Sequence, residues 1–267
     1  MSNNKEPSLA YEDRAVLFLD FLGFKEVINA TSTDQERIAD VIGAINILRR
    51  IGEQQAFFKS QRMTQFSDCV VVSYRCDERS AAFDLVSEIG FALATLVERG
   101  FLVRGGVAVG KLIHTDHYLF GPAMNEAYEL ESKCAIYPRV LISKRLLEVA
   151  KSAPAAHHHG HEEQGYVADY LCKDTDGQHY IDYVSWNAVV SVMGGDDDMY
   201  GDYLEKLSRI LRRGLAVKAP DVRLKYGWLY EKYAAAVRFI TSLPPEDSWV
   251  RQNFEMYEGI KELPLTF

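Results

Sequence analysis

Ala15-Val16-Leu17-Phe18-Leu19-Asp20, followed at once by Phe21-Leu22-Gly23-Phe24, is the stretch on which the reading of this chain turns. A short apolar run closed by an acid and then by a glycine reads as a buried strand with a carboxylate at its end. A second acid, Asp68, sits in the turn of Phe66-Ser67-Asp68-Cys69-Val70, between two strand candidates at roughly 55–66 and Cys69–Tyr74. A carboxylate at the end of a buried strand is costly unless something cationic meets it. Each acid alone could equally cap a turn or accept backbone N–H bonds. Together, Asp20 and Asp68 suggest a site for a hard divalent cation, because Mg²⁺ takes one or two protein carboxylates plus phosphate oxygens from a substrate. Phe21-Leu22-Gly23-Phe24 would then turn backbone N–H groups toward those phosphates, with Gly23 permitting the bend.

Working outward, residues 1–13 are polar and read as a flexible N-terminus. Residues 33–50 open at Thr33-Asp34, with Glu36 behind, and place Ile38, Val41, Ile42, Ile45 and Leu48 at helical spacing. A second helix is expected from Arg79 to Arg99. Phe101–Val109 reads as a strand containing Gly105 and Gly106 and ending at Gly110-Lys111. Gly121-Pro122 opens a helix carrying Asn125, Tyr128, Glu129 and Ser132. Arg139–Ile142 is expected as a strand, Lys144–Ala150 as a short helix, and 152–164 as a polar loop. Gly165–Leu171 and His179–Trp186 read as a closing hairpin around Thr175-Asp176-Gly177. The alternation of helices and strands around an antiparallel hairpin predicts an α+β fold over 14–190. After Gly194-Gly195-Asp196-Asp197-Asp198 the pattern changes, and 199–267 reads as a helical extension of two or three helices broken at Gly227 and Pro244-Pro245.

The 267 residues carry 30 Lys+Arg against 38 Asp+Glu, and the net charge of −8 argues against a protein that coats nucleic acid or an anionic membrane. With 48% hydrophobic residues there is ample material for a core, which excludes wholesale disorder. Cys69, Cys76, Cys134 and Cys172 are scattered and form no CxxC pair, so they read as reduced thiols rather than a disulfide frame. With no membrane span and no leader visible, a cytoplasmic location is expected.

Four segments, in order, resemble class III nucleotidyl cyclases. Leu19-Asp20-Phe21-Leu22-Gly23-Phe24 is similar to their first metal motif, and Ser67-Asp68 to their second, a Gly-Asp hairpin turn. Arg104-Gly105-Gly106-Val107-Ala108-Val109-Gly110 is similar to their following Arg-x-Gly strand. Tyr118-Leu119-Phe120-Gly121-Pro122-Ala123-Met124-Asn125 resembles the segment leading to the catalytic Asn. The resemblance covers roughly residues 14–186. It implies a ferredoxin-like core, a mostly antiparallel sheet flanked by helices, working as a head-to-tail homodimer with sites at the interface. It implies two Mg²⁺ or Mn²⁺ ions per site, held by Asp20, the Phe21 backbone and Asp68. The chemistry implied is attack of the ribose 3′-oxygen on the α-phosphate, with Asn125 from the partner copy.

The departures narrow the expectation. The family reads a purine base four residues before the second metal Asp and seven before the catalytic Asn, where adenylyl cyclases put Lys and Asp. Here those positions are Thr64 and Tyr118. A hydroxyl carries no charge and cannot reproduce that readout, and the tyrosine adds bulk. The pattern resembles the pyrimidine cyclases of bacterial anti-phage (Pycsar) signalling, with UTP, or alternatively CTP, as substrate and a separate cyclic-nucleotide-binding effector reading the product. The family's transition-state arginine, four residues after the Asn, is replaced by Glu129, which cannot stabilise a phosphoryl transition state. Arg104 is then the preferred phosphate-facing cation, with Lys111 or Lys133 as substitutes; its bland reading is a strand-end ion pair. A silent, nucleotide-sensing or partner-binding cyclase-like module is the rival reading. His157-His158-His159 with His161 reads as a solvated loop rather than a metal site, and Asp196-Asp197-Asp198 as an acidic linker.

Overall fold

Alternation along the first strand sorts the molecule into two faces. In β1 (Glu12–Phe21), Ala15, Leu17, Leu19 and Phe21 are buried in the main core, whereas Val16 and Phe18 belong to a separate small cluster on the opposite face. The computed structural model describes residues 9–31, 34–53 and 55–267. Thr33 and the first eight residues of the expected loose N-terminus therefore lie outside the described residues, while Glu12 and Asp13 already belong to β1.

The elements after β1 are helices α1 (Phe24–Thr31) and α2 (Glu36–Arg50), strands β2 (Arg62–Phe66) and β3 (Cys69–Arg75), helix α3 (Ala81–Glu98), and strands β4 (Val103–His114) and β5 (Leu119–Phe120). Helix α4 (Pro122–Glu129) runs into a π-helical turn, Leu130–Cys134. Strand β6 (Val140–Ile142), helices α5 (Arg145–Ser152) and α6 (Gly160–Asp169), and the hairpin β7 (Leu171–Lys173) and β8 (His179–Ile181) complete the sheet region. The tail contributes α7 (Tyr200–Leu215), α8 (Pro220–Thr241), α9 (Ser248–Gln252) and α10 (Phe254–Lys261). The sheet has eight strands in the order β2-β3-β1-β4-β6-β8-β7, with β5 on β4, and every pairing but β4–β6 is antiparallel. The chain thus adopts the expected α+β architecture, a central, mostly antiparallel sheet flanked by helices, with a helical C-terminal part.

One face carries the main core. Helix α3 lays Leu85, Val86, Ile89, Leu93, Leu96 and Val97 along it at helical spacing, and Leu204, Leu207 and Leu211 of α7 with Leu229 and Tyr233 of α8 join the same cluster. The tail is also tied by polar bonds. Tyr200 Oη donates to Val184 O at 2.8 Å, and Trp228 Nε1 donates to Asp174 Oδ2 at 2.6 Å. Asp174 also meets the fully buried Arg139 and, at 3.1 Å, Lys232. On the other face α4, with Leu130 of the π-helical turn and Leu119 of β5, packs over a small cluster of Val16, Val71, Ala108, Leu112, Ala123 and Ala127. Gly106 sets how close α4 comes: a Cβ there would stand 2.4 Å from Leu130 Cβ and 2.9 Å from Ala127 O.

Several expectations are corrected. Residues 55–61 form turns, not the start of a strand, because the buried Arg14 draws the Ser60 carbonyl inward. Residues 24–31, unassigned in the sequence reading, are helical, and β4 runs on to His114 because Gly110 and Lys111 stay paired with Arg14 and Asp13. The polar stretch 152–164 contains the start of α6, where Glu162 accepts from the His159 N–H and completes a capping box. Gly165 lies inside that helix rather than in a strand. His158 Nδ1 is 2.8 Å from the buried Glu163, so the histidine run builds a helix start. Gly227 does not break α8; Trp228, Leu229, Tyr233, Val237 and Ile240 are all buried along this helix, and packing overrides the glycine's weak local preference.

Candidate active site

The β1–β3–β4 register decides which side chains share the α4-side face. Asp20 stands directly across from Arg104, Phe18 from Gly106, and Val16 from Ala108. On the other side Leu19 pairs with Val70, which brings the turn preceding β3, Ser67-Asp68, beside the end of β1. Ser67 takes φ 54° to close that turn. This left-handed conformation favours glycine and costs a serine about 1 kcal/mol.

The result is a tight acidic cluster. One ligand atom each from Asp20, Asp68 and Cys69 lie within 4.8 Å of one another. Burial raises the Asp20 carboxyl above its ordinary range and the Asp68 charge adds to this, while the Cys69 hydrogen bond and Arg104 offset part of it. Cys69 Sγ donates to Asp20 Oδ1 at 3.4 Å; burial and the Asp20 charge push the thiol up to about 12, so it remains a proton donor. Two carboxylates forced together, next to a neutral thiol, form a donor set suited to Mg²⁺ or Mn²⁺ rather than to a soft metal.

Arg104 lies in the same cluster. Its guanidinium is 3.7 Å from Asp20 Oδ2 and 2.7 Å from Oε1 of the buried Glu131, the latter too poorly aligned for a hydrogen bond and so a mainly Coulombic contact. Burial raises the Glu131 carboxyl, and Arg104 opposes that. Arg104 is therefore engaged by two acids of its own chain.

The glycine bend is present: Gly23 has φ +73° and α1 begins at Phe24, with Val27 N–H donating to Gly23 O. Leu22 N–H, however, donates to Leu102 O at 2.8 Å, which removes that amide from any phosphate cradle. Phe21 and Phe24 stack at 5.4 Å between ring centroids.

Thr64 lies on β2 opposite Val71, with its Oγ1 3.0 Å from His114 Nε2. Tyr118 precedes β5 and is 51% exposed. Asn125 is exposed on α4, and one turn on Glu129 pairs with Lys133 at 2.7 Å. Lys111 pairs with Asp13 at 2.8 Å. Asp20, Asp68 and Arg104 thus come together within one chain, whereas Tyr118 and Asn125 face solvent.

Cys69, Glu131 and His114 were missed by the sequence reading. Cys69 follows from register, since continuing Leu19–Val70 pairs it with Asp20; nothing local marks Glu131 or His114. Asp196–Asp198 also clusters, but Asp196 simply accepts from Asp198 N–H at the start of a short helical turn.

No family model matches the sequence, nor does any curated protein. Among solved structures, the chain is similar to the adenylyl cyclase CyaB from P. aeruginosa, at 18% identity over 53% of this chain and 82% of that one, with a TM-score of 0.43. It is similar to a guanylyl cyclase domain of the RhoGC fusion protein from the aquatic fungus Blastocladiella emersonii, at 15% identity over 64% and 93% of the two chains and a TM-score of 0.41. A third is the adenylate/guanylate cyclase/hydrolase from Silicibacter pomeroyi, at 16% identity over 64% and 95%, with a TM-score of 0.40. At these identities and scores the likeness is loose, and the functional assignment rests on the chain's own side chains. Among the described residues, no helix is long and apolar enough to cross a membrane.

Proposed function

We propose that this protein is a homodimeric pyrimidine nucleotide cyclase that converts UTP to 3′,5′-cyclic UMP and pyrophosphate, with CTP as the alternative substrate. The observation that carries the reading is the Asp20–Asp68 pair, with ligand oxygens drawn within 4.8 Å of each other. Asp20, Asp68 and the Phe21 carbonyl would hold two Mg²⁺ or Mn²⁺ ions, which supply charge neutralisation for the triphosphate and acidify the ribose 3′-hydroxyl. The N–H groups of Gly23 and Phe24, at the start of α1, would meet phosphate oxygens. Thr64 and Tyr118 would face the base, and Asn125 of a second copy would orient the ribose. The new bond joins the 3′-oxygen to the α-phosphorus, the bond to the β-phosphate oxygen breaks, and the hydroxyl proton passes to solvent.

A dimer is supported by the aromatic groups left open around this face: Phe66, Tyr118, Phe120 and Tyr128 are all exposed, Phe66 by 80%. With the tail packed into the core, 14–190 and 199–267 would act as one catalytic unit. The resemblance to Pycsar cyclases supports a cytoplasmic role in anti-phage signalling, the product being read by a separate effector.

Incubation with each of the four nucleoside triphosphates and Mn²⁺ tests the proposal. Cyclic UMP is expected; product from ATP or GTP alone overturns the base assignment, and no product from any overturns the enzyme. A silent nucleotide-sensing module is the second reading, favoured by Arg104 being engaged by Asp20 and Glu131 and by Glu129 at the family's arginine position. Calorimetric nucleotide binding without turnover would select it.

A further inference from the structure

Toward the other end of β1 from the carboxylate cluster, four polar side chains form a relay. Arg14, Ser73 and His114 are buried. Arg14 Nε donates to Ser73 Oγ at 2.9 Å, and its NH2 group donates to Ser73 O at 3.1 Å. His114 Nδ1 lies 2.8 Å from Ser73 Oγ, and its Nε2 lies 3.0 Å from Thr64 Oγ1.

The direction of the hydrogens follows from counting donors and acceptors. A guanidinium only donates, so Ser73 Oγ accepts from Arg14 and its own hydrogen needs an acceptor. Among the described residues, the one acceptor within reach is His114 Nδ1. Burial, reinforced by the Arg14 and Arg62 cations, pushes the imidazole pKa down to about 4, so the ring is neutral with a single N–H. With Nδ1 accepting, that hydrogen sits on Nε2 and is donated to Thr64 Oγ1. Thr64 then keeps its own hydroxyl hydrogen free to donate away from the relay. In the opposite tautomer Thr64 would donate to Nε2 and offer only lone pairs.

We propose that His114 is a positioning residue that holds Thr64 as a hydrogen-bond donor and so selects a 4-oxo pyrimidine, uracil, over a 4-amino pyrimidine, cytosine. The inference rests on the cyclase reading for the place of Thr64 at the base; the polarity of the relay comes from Arg14, Ser73 and His114. The O4 carbonyl of uracil accepts the Thr64 hydrogen. The amino group of cytosine brings hydrogens of its own and leaves the Thr64 hydrogen without an acceptor, which costs about tenfold in selectivity.

Two measurements test this. Long-range ¹H–¹⁵N correlation on the intact protein reports which ring nitrogen of His114 is protonated; Nε2 is expected, and a proton on Nδ1 overturns the proposal whether or not the protein is a cyclase. The second is the ratio of kcat/KM for UTP over CTP. His114→Phe is expected to lower it about tenfold, His114→Gln, whose amide can donate to Thr64, to restore most of it, and His114→Phe to have no further effect in a Thr64→Val background. An unchanged ratio in His114→Phe, or an undiminished effect in the Thr64→Val background, overturns the positioning role. If His114→Phe does not fold, Thr64→Val alone must lower the ratio, and an unaltered ratio there overturns the proposal. Wild-type protein with the Nε2 tautomer but no cyclic product from any triphosphate overturns the cyclase reading, and the base selection with it, while leaving the relay's polarity established.

Discussion

Asp68→Asn is expected to make the metal-free protein more stable while removing its response to divalent cations. Ligand oxygens of Asp20 and Asp68 lie within 4.8 Å. Two unit charges about that far apart repel by roughly 3–4 kcal/mol at an effective permittivity of about 20. Asp68 is half-buried, so solvent screening reduces the relief to about 1–2 kcal/mol. The amide keeps the shape of the turn and can donate to Asp20, and the Arg104–Glu131 pair is untouched. At about 2–4 °C per kcal/mol for a chain of this size, the metal-free Tm should rise by about 2–8 °C. Wild-type protein, by contrast, should gain about 2.7 kcal/mol when Mn²⁺ is present at about a hundred times its Kd. The assay is thermal unfolding with and without Mn²⁺, run beside turnover, which should vanish in the variant. A metal-free Tm that falls, or a variant whose Tm still climbs with Mn²⁺ as the wild type's does, would show that repulsion between these two acids is not what the site is built around.

Three further outcomes are expected. Because the Asp20 pKa is raised in the fold, protonation favours the metal-free native state: the gain is complete below the ordinary aspartate value of 3.8 and is lost as pH rises through the raised folded value. Mn²⁺ affinity should run the other way, weakening as pH falls through that same window, and a calorimetric pH series that shows flat affinity there would contradict it. Gly106→Ala should cost about 1–3 kcal/mol and depress turnover, since its Cβ would meet Leu130 Cβ at 2.4 Å and push α4, with Asn125, off the sheet; urea unfolding and cyclase rates check both, and an unaffected rate would separate α4 from catalysis. Asp174→Ala leaves the fully buried Arg139 with the half-exposed Asp176 and the Cys134 carbonyl and takes partners from Trp228 and Lys232, so a loss of about 3 kcal/mol is expected in chemical denaturation; a neutral result would mean that α8 does not depend on this network.

What could be read without coordinates were the features set by local pattern. The run Ala15–Asp20 was legible as a buried strand because a short unbroken apolar run is closed by an acid and a glycine, and α3 because its apolar residues recur at helical spacing. The Ser67-Asp68 turn was legible because two strand-like runs left no room for anything longer. Misreadings fell where distant packing governs: residues 55–61 yield to a buried arginine, α6 starts at a capping box inside a polar stretch, and Gly227 is carried by the buried face of α8.

The sequence by itself determined the α+β order, the helical tail, and the two acids at strand ends, because periodicity and turn chemistry act over a few residues. Only the tertiary structure decided that Cys69 completes the acidic cluster, that Arg104 is held between Asp20 and Glu131, and that Thr64 is bonded to His114. Those relations depend on strand register and on how closely α4 sits against the sheet, and both are fixed by packing between residues dozens of positions apart, which no local pattern encodes.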